Sequence, residues 1–103
     1  MIRWTPQAAD DLDEIREFIA RDSKRYARLL VERLVQRVDE LEHFPRAGRV
    51  VPELRQDDIR ELIHGSYRIV YRLEATRVRI LTVFHASRRF PGLGEGPAAA
   101  DSS

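Results

Sequence analysis

The chain has 103 residues, 43% of them hydrophobic and 34% charged, which argues for one globular domain and against a disordered or two-domain chain. It has no cysteine, which excludes a disulfide framework, a thiolate metal site and a cysteine nucleophile, and fits a reducing compartment. The net charge of +1 conceals a basic stretch: residues 59–90 carry seven arginines against Glu61 and Glu74, while residues 1–58 carry 11 basic and 13 acidic side chains.

Ile2-Arg3-Trp4 reads as a short extended segment without the apolar run of a signal peptide. Thr5 is placed to cap a helix and Pro6 to begin it, where a missing N–H costs nothing. Ala8, Leu12, Ile15 and Ile19 make one apolar stripe, so a helix is expected over about 6–21. Asp22-Ser23 breaks it, and Ser23 caps a second helix striped by Ala27, Leu30, Val31, Leu34, Val38 and Leu41. Leu29 and Val35 fall off that stripe, as scattered surface residues or as part of a partner site. Phe44-Pro45 ends the helix, because a residue before proline avoids helical angles.

Residues 45–58 read as a loop, from Pro45, Gly48, Pro52 and the run Gln56-Asp57-Asp58. Three strands follow: Ile59 to Ile63, Tyr67 to Leu73, and Val78 to His85, the last apolar on both faces as a central strand would be. The low-complexity stretch from 92 to 103 is expected to be a disordered tail after a domain of residues 1–91. The order β-α-α-β-β-β predicts an α+β fold, a helical hairpin packed on a mostly antiparallel four-stranded sheet. Leu12, Ile15, Ile19, Leu30, Leu34, Val38, Leu41, Ile69, Tyr71, Ile80 and Phe84 are expected to share one core.

No phosphate-binding glycine loop, nucleophile elbow or paired-histidine zinc motif occurs, and His43, His64 and His85 share no metal-ligand spacing. No cofactor and no metal are implied. No apolar run approaches the roughly 18 residues of a membrane span, so a cytoplasmic protein is expected. The sharper feature is arginine on the strands. By alternation Arg68 and Arg72 share one face, as do Arg79 and His85, with Arg60 and Arg88-Arg89 nearby. If Tyr67, Ile69, Tyr71, Val78, Ile80 and Phe84 all meet the helices, these basic groups converge on the opposite face, suited to phosphate or carboxylate. A solvated arginine face that protects the sheet edge explains the same spacing, and on spacing alone that plainer reading is the stronger.

The order and wording of the motifs add a resemblance. Trp4-Thr5-x-x-Ala8-x-x-Asp11-Leu12-x-x-Ile15, Phe44-Pro45-x-x-Gly48-Arg49, Ile59-Arg60-Glu61-Leu62, Gly65-x-Tyr67-Arg68-Ile69-Val70-Tyr71 and Val83-Phe84-His85-x-x-Arg88 together resemble the RelE/ParE-type toxins of type II toxin–antitoxin systems. The resemblance covers about residues 2–90. It implies a cognate antitoxin, and a toxin–antitoxin hetero-oligomer. Leu29 and Val35 of the hairpin and Arg72 and Arg79 of the sheet are the residues available to the antitoxin.

Two activities compete within that resemblance. ParE-like members inhibit DNA gyrase without catalysis; here Arg88, Arg89, Arg60 and Arg68 would meet the target. RelE-like members are ribosome-dependent mRNA endonucleases; here Arg68, Arg60 and His85 would be catalytic, with the ribosome and mRNA as partners. Ala86 stands where the nucleases keep a basic or imidazole group, and the ending Val83-Phe84-His85 looks more like ParE. The ParE-like reading is therefore preferred. A non-toxic binding module on the same scaffold is a third possibility, since fold does not fix function.

Overall fold

The computed structural model describes residues 1–93. The elements are β1 (Ile2–Trp4), α1 (Pro6–Ala20), α2 (Lys24–Asp39), a 3₁₀ turn (Glu40–Glu42), β2 (Arg49–Val50), β3 (Ile59–His64), β4 (Tyr67–Leu73) and β5 (Val78–His85). The Thr5 hydroxyl accepts from the Ala8 amide at 3.1 Å and donates to the Ile80 carbonyl at 2.7 Å. One side chain thus caps α1 and ties it to β5. The Ser23 hydroxyl caps α2 by accepting from the Tyr26 amide at 3.0 Å.

The sheet runs β1-β5-β4-β3-β2, with β1 parallel to β5 and every other pairing antiparallel. It has five strands where four were expected. The added one, β2, is a two-residue pairing of Arg49 with Glu61 and Val50 with Arg60, inside the segment read as a loop. Two residues carry no periodicity; the pairing is held by tertiary contacts. The Tyr71 hydroxyl donates to the Pro45 carbonyl at 2.8 Å and accepts from the Gly48 amide at 2.9 Å. A Cβ on Gly48 would lie 2.5 Å from the Glu61 carbonyl oxygen, so the chain can pass there only as glycine. Pro45 and Gly48 therefore form one latch with Tyr71.

The helices pack on one face over Ala8, Leu30, Leu34, Val38, Leu41, Leu62, Ile69, Tyr71, Val78, Ile80 and Val83, with Leu12, Ile15 and Ile19 partly buried against them. The opposite face is also covered. Val51, Ile59, Val70, Leu81 and Phe84 form a second cluster, closed by Leu54, Phe90 and Leu93. Phe84 was expected in the helix-facing core and lies in this second one instead.

The cause is a β-bulge. Tyr71 pairs with Ile80 and Val70 with Thr82, so Leu81 is an extra residue in β5. Val78 and Ile80 face the helices; beyond the bulge Val83 does, and Phe84 turns to the other side. The Asp11 carboxylate secures the shift, accepting from the Thr82 hydroxyl at 2.5 Å and the Val83 amide at 3.0 Å. Leu93, placed by the sequence in the tail, packs against the second cluster, and the rest of that expected tail, 94–103, lies outside the described residues.

Candidate functional site

Arg68 sits on the second sheet face, and all three of its nitrogens are engaged. Its Nε donates to Glu61 at 2.6 Å, and its two terminal nitrogens hold both oxygens of Glu53 at 2.9 and 2.7 Å. Its guanidinium also lies against the Phe84 and Phe90 rings, 5.2 and 5.3 Å from their centroids. Glu61 is 1% exposed, and its other oxygen accepts from Arg49 at 2.7 Å. The Arg68 hydrogen bonds hold the Glu53 carboxyl down to about 2, and Glu53 and Glu61 together raise Arg68 above its already high value. A guanidinium so placed is neutralised by two carboxylates, which weakens its attraction for a phosphate.

The other strand arginines are also partnered. Arg72 pairs with Asp58 at 3.0 Å, and Arg79 with Glu74 at 3.3 Å. Glu74 also accepts from Arg77 at 2.7 Å, and that bond lowers its carboxyl below the usual range. Arg60 donates to the carbonyls of Gly48 and Asp57, both at 3.0 Å, and to the Asp57 carboxylate at 2.9 Å.

The expected convergence of basic groups on one face is only half realised. Arg68, Arg72 and Arg79 lie on the second face. Arg60 alternates with Glu61 and lies on the helix side, level with Tyr71. The bulge carries His85 to the helix side as well, beside Tyr67, so it does not share a face with Arg79. The sequence did not identify which carboxylates neutralise these arginines. Glu53, Asp57 and Asp58 cluster in the expected loop, and acidic residues just ahead of arginine-rich strands were the available signal.

The end of β5 is different. The His85 Nδ1 accepts from the Ser87 amide at 3.1 Å and lies 2.7 Å from the Ser87 hydroxyl, which places the ring hydrogen of a neutral His85 on Nε2. The ring meets Tyr67 edge-on at 5.3 Å, and burial raises the Tyr67 hydroxyl above its usual value. Arg88 and Arg89 follow on this turn, exposed and without an ion pair among the described residues. A groove of about 630 Å³ opens between this turn and α1, lined by Glu14, Ile15, Phe18, Tyr67, His85 and Arg88 among others. Leu29 and Val35 are half-buried on α2, apart from it. Among the described residues no group of three His, Cys, Asp or Glu side chains is arranged to hold a metal, and no helix is long and apolar enough to cross a membrane.

A helical hairpin on a mixed sheet, with a paired arginine face and two arginines past the last strand that have no ion pair among the described residues, defines an α+β protein. The family profile described as "ParE toxin of type II toxin-antitoxin system, parDE" matches residues 2–90. The chain belongs to this ParE toxin family, and is a type II toxin of the RelE/ParE superfamily. A curated relative from Sinorhizobium fredii, named Putative toxin Y4kP, is 39% identical over 92 residues, covering 87% of this chain and 92% of its own. A solved structure titled as the chromosomal ParDE system of P. aeruginosa is similar in fold, with TM-score 0.69 and 23% identity over 82% of this chain and 92% of that one. The toxin–antitoxin complex RelBE2 from Mycobacterium tuberculosis is similar with TM-score 0.60 and 26% identity, over 82% of this chain and 95% of that one.

Proposed function

We propose that this toxin acts in the cytoplasm as a ParE-like inhibitor of DNA gyrase with no catalysis of its own, neutralised by a cognate antitoxin in a hetero-oligomeric complex. The observation that carries this reading is the pairing of Arg68 with Glu61 and Glu53 against the Phe84 and Phe90 rings. An endonuclease site would need Arg68, Arg60 and His85 to converge on one phosphodiester with free donors. Here Arg60 and His85 lie on the helix side and both arginines are engaged by the fold. Ala86 supplies no proton where a general acid would stand, a loss worth roughly 10²–10⁴ in rate. Arg88 and Arg89, exposed and without an ion pair among the described residues, are the proposed contact with the target.

The likeness to ParDE and RelBE2 supports the antitoxin partner, with Leu29, Val35, Arg72 and Arg79 as proposed contacts. The test is direct. Purified toxin should block supercoiling by gyrase or trap cleaved DNA, leave ribosome-bound message intact, and lose potency as Arg88→Ala/Arg89→Ala. Codon-register cleavage of message with gyrase unaffected would move the protein to the endonuclease reading. Unimpaired growth of a sensitive host expressing it alone would leave the binding module.

A further inference from the structure

The charges around the groove between α1 and β5 contrast with those of the sheet. Every arginine on β2 to β5 is ion-paired within the chain: Arg49, Arg60, Arg68, Arg72 and Arg79. In the groove, Glu14 and Glu17 line the helix wall and Arg88 lines the opposite wall, and none of the three has an ion pair among the described residues. Arg89, the next residue, is exposed beside it. Phe18 stands on the acidic wall, 64% exposed, with the Arg21 guanidinium 5.6 Å from its ring centroid. An aromatic ring this exposed, framed by unpaired charges of both signs, marks a surface that a partner completes.

The partner must bring an apolar contact flanked by base on one side and acid on the other. A second copy of this chain brings that pattern by symmetry. A two-fold axis running along the groove sets the acidic wall of each copy against the basic wall of the other, and lays each Phe18 toward the facing groove. A two-fold axis across the groove would oppose like walls and is disfavoured. We propose that the antitoxin-free toxin self-associates through this groove as an isologous pair, with Glu14 and Glu17 of one copy facing Arg88 and Arg89 of the other. The proposal is independent of whether gyrase is the target.

The experiment is sedimentation of the full chain at low and high salt, with circular dichroism to verify the fold of each variant. Wild type should dimerise at low salt and dissociate as salt rises. Glu14→Arg/Glu17→Arg and Arg88→Glu/Arg89→Glu should each weaken the dimer at least about tenfold, since each swap replaces attraction by repulsion. The two charge-reversed variants mixed in equal amounts should associate with one another more tightly than either does with itself, seen as a heterodimer by native mass spectrometry. Damage to the fold cannot produce that rescue. A wild type that stays monomeric at the highest soluble concentration, a dimer indifferent to both reversals, or reversed variants that do not rescue one another would each overturn the proposal.

Discussion

Arg68 and Arg88 lie near the same end of the sheet, and their surroundings give them opposite roles. Arg68 neutralises Glu61, a carboxylate with almost no contact with water. Truncating Arg68 leaves Glu61 with Arg49 as its remaining cation and one oxygen without its hydrogen bond, so Arg68→Ala should cost roughly 1–3 kcal/mol. Arg88→Ala should stay within about 0.5 kcal/mol in the same urea titration, because its side chain is exposed and unpaired. Toxicity lost at position 68 would therefore report on the fold, and toxicity lost at 88 on the proposed contact with the target.

Glu53 makes the pairing visible to acid. Its carboxyl is held at about 2, below the ordinary 4.5, chiefly by the Arg68 hydrogen bonds. A depressed carboxylate contributes stability that is complete above the unfolded value and fades as pH falls toward the folded one. Unfolding midpoints should decline between about pH 4.5 and 2, and Glu53→Gln should flatten that part of the profile; an unchanged slope would separate Glu53 from it. Tyr71 carries a related argument without charge. Tyr71→Phe leaves the buried Gly48 amide without its partner and should cost roughly 1–3 kcal/mol in chemical denaturation.

At the scale of elements, β5 decides the architecture. Its continuous apolar run is right for a strand buried on both faces, but the run does not reveal the extra residue, Leu81. Any of several neighbours could be the bulged residue on sequence grounds. The choice is made by Asp11, 71 residues away in sequence from Thr82, whose carboxylate takes the Thr82 hydroxyl and the Val83 amide. Asp11→Ala should cost roughly 1–3 kcal/mol and raise hydrogen exchange at the Val83 amide. A protected Val83 amide in that variant would show that the bulge holds without α1. The helices were more legible: caps at Thr5 and Ser23 and the stripes below them emerge where the spacing puts them, because those signals act within one or two turns. Leu34, on the stripe of α2, is fully buried, and Leu34→Ala should cost roughly 2–5 kcal/mol.

At the scale of the whole molecule, the sheet is covered on both faces. The helices take one, while the acidic loop with Leu54 and the segment with Phe90 and Leu93 takes the other. That second cover turns what looked like an open basic surface into a neutralised one, and Arg88 and Arg89 on the turn after β5 stay outside it. The α1 groove and the Arg88-Arg89 turn adjoin, so a second copy seated in the groove would also mask the proposed target contact.

The amino-acid sequence by itself determined both helices, the three long strands and the family. Those features rest on local periodicity, capping and motif order, which need no knowledge of distant neighbours. Only the tertiary structure decided the short strand β2, the face on which Phe84 and His85 lie, and the fate of Arg60 and Arg68. Each of these depends on a partner far along the chain: Tyr71 for Gly48, Asp11 for the bulge, Glu53 and Glu61 for Arg68. An arginine's sequence context states its charge, but whether that charge is spent inside the fold depends on which carboxylates the folded chain brings within hydrogen-bond reach.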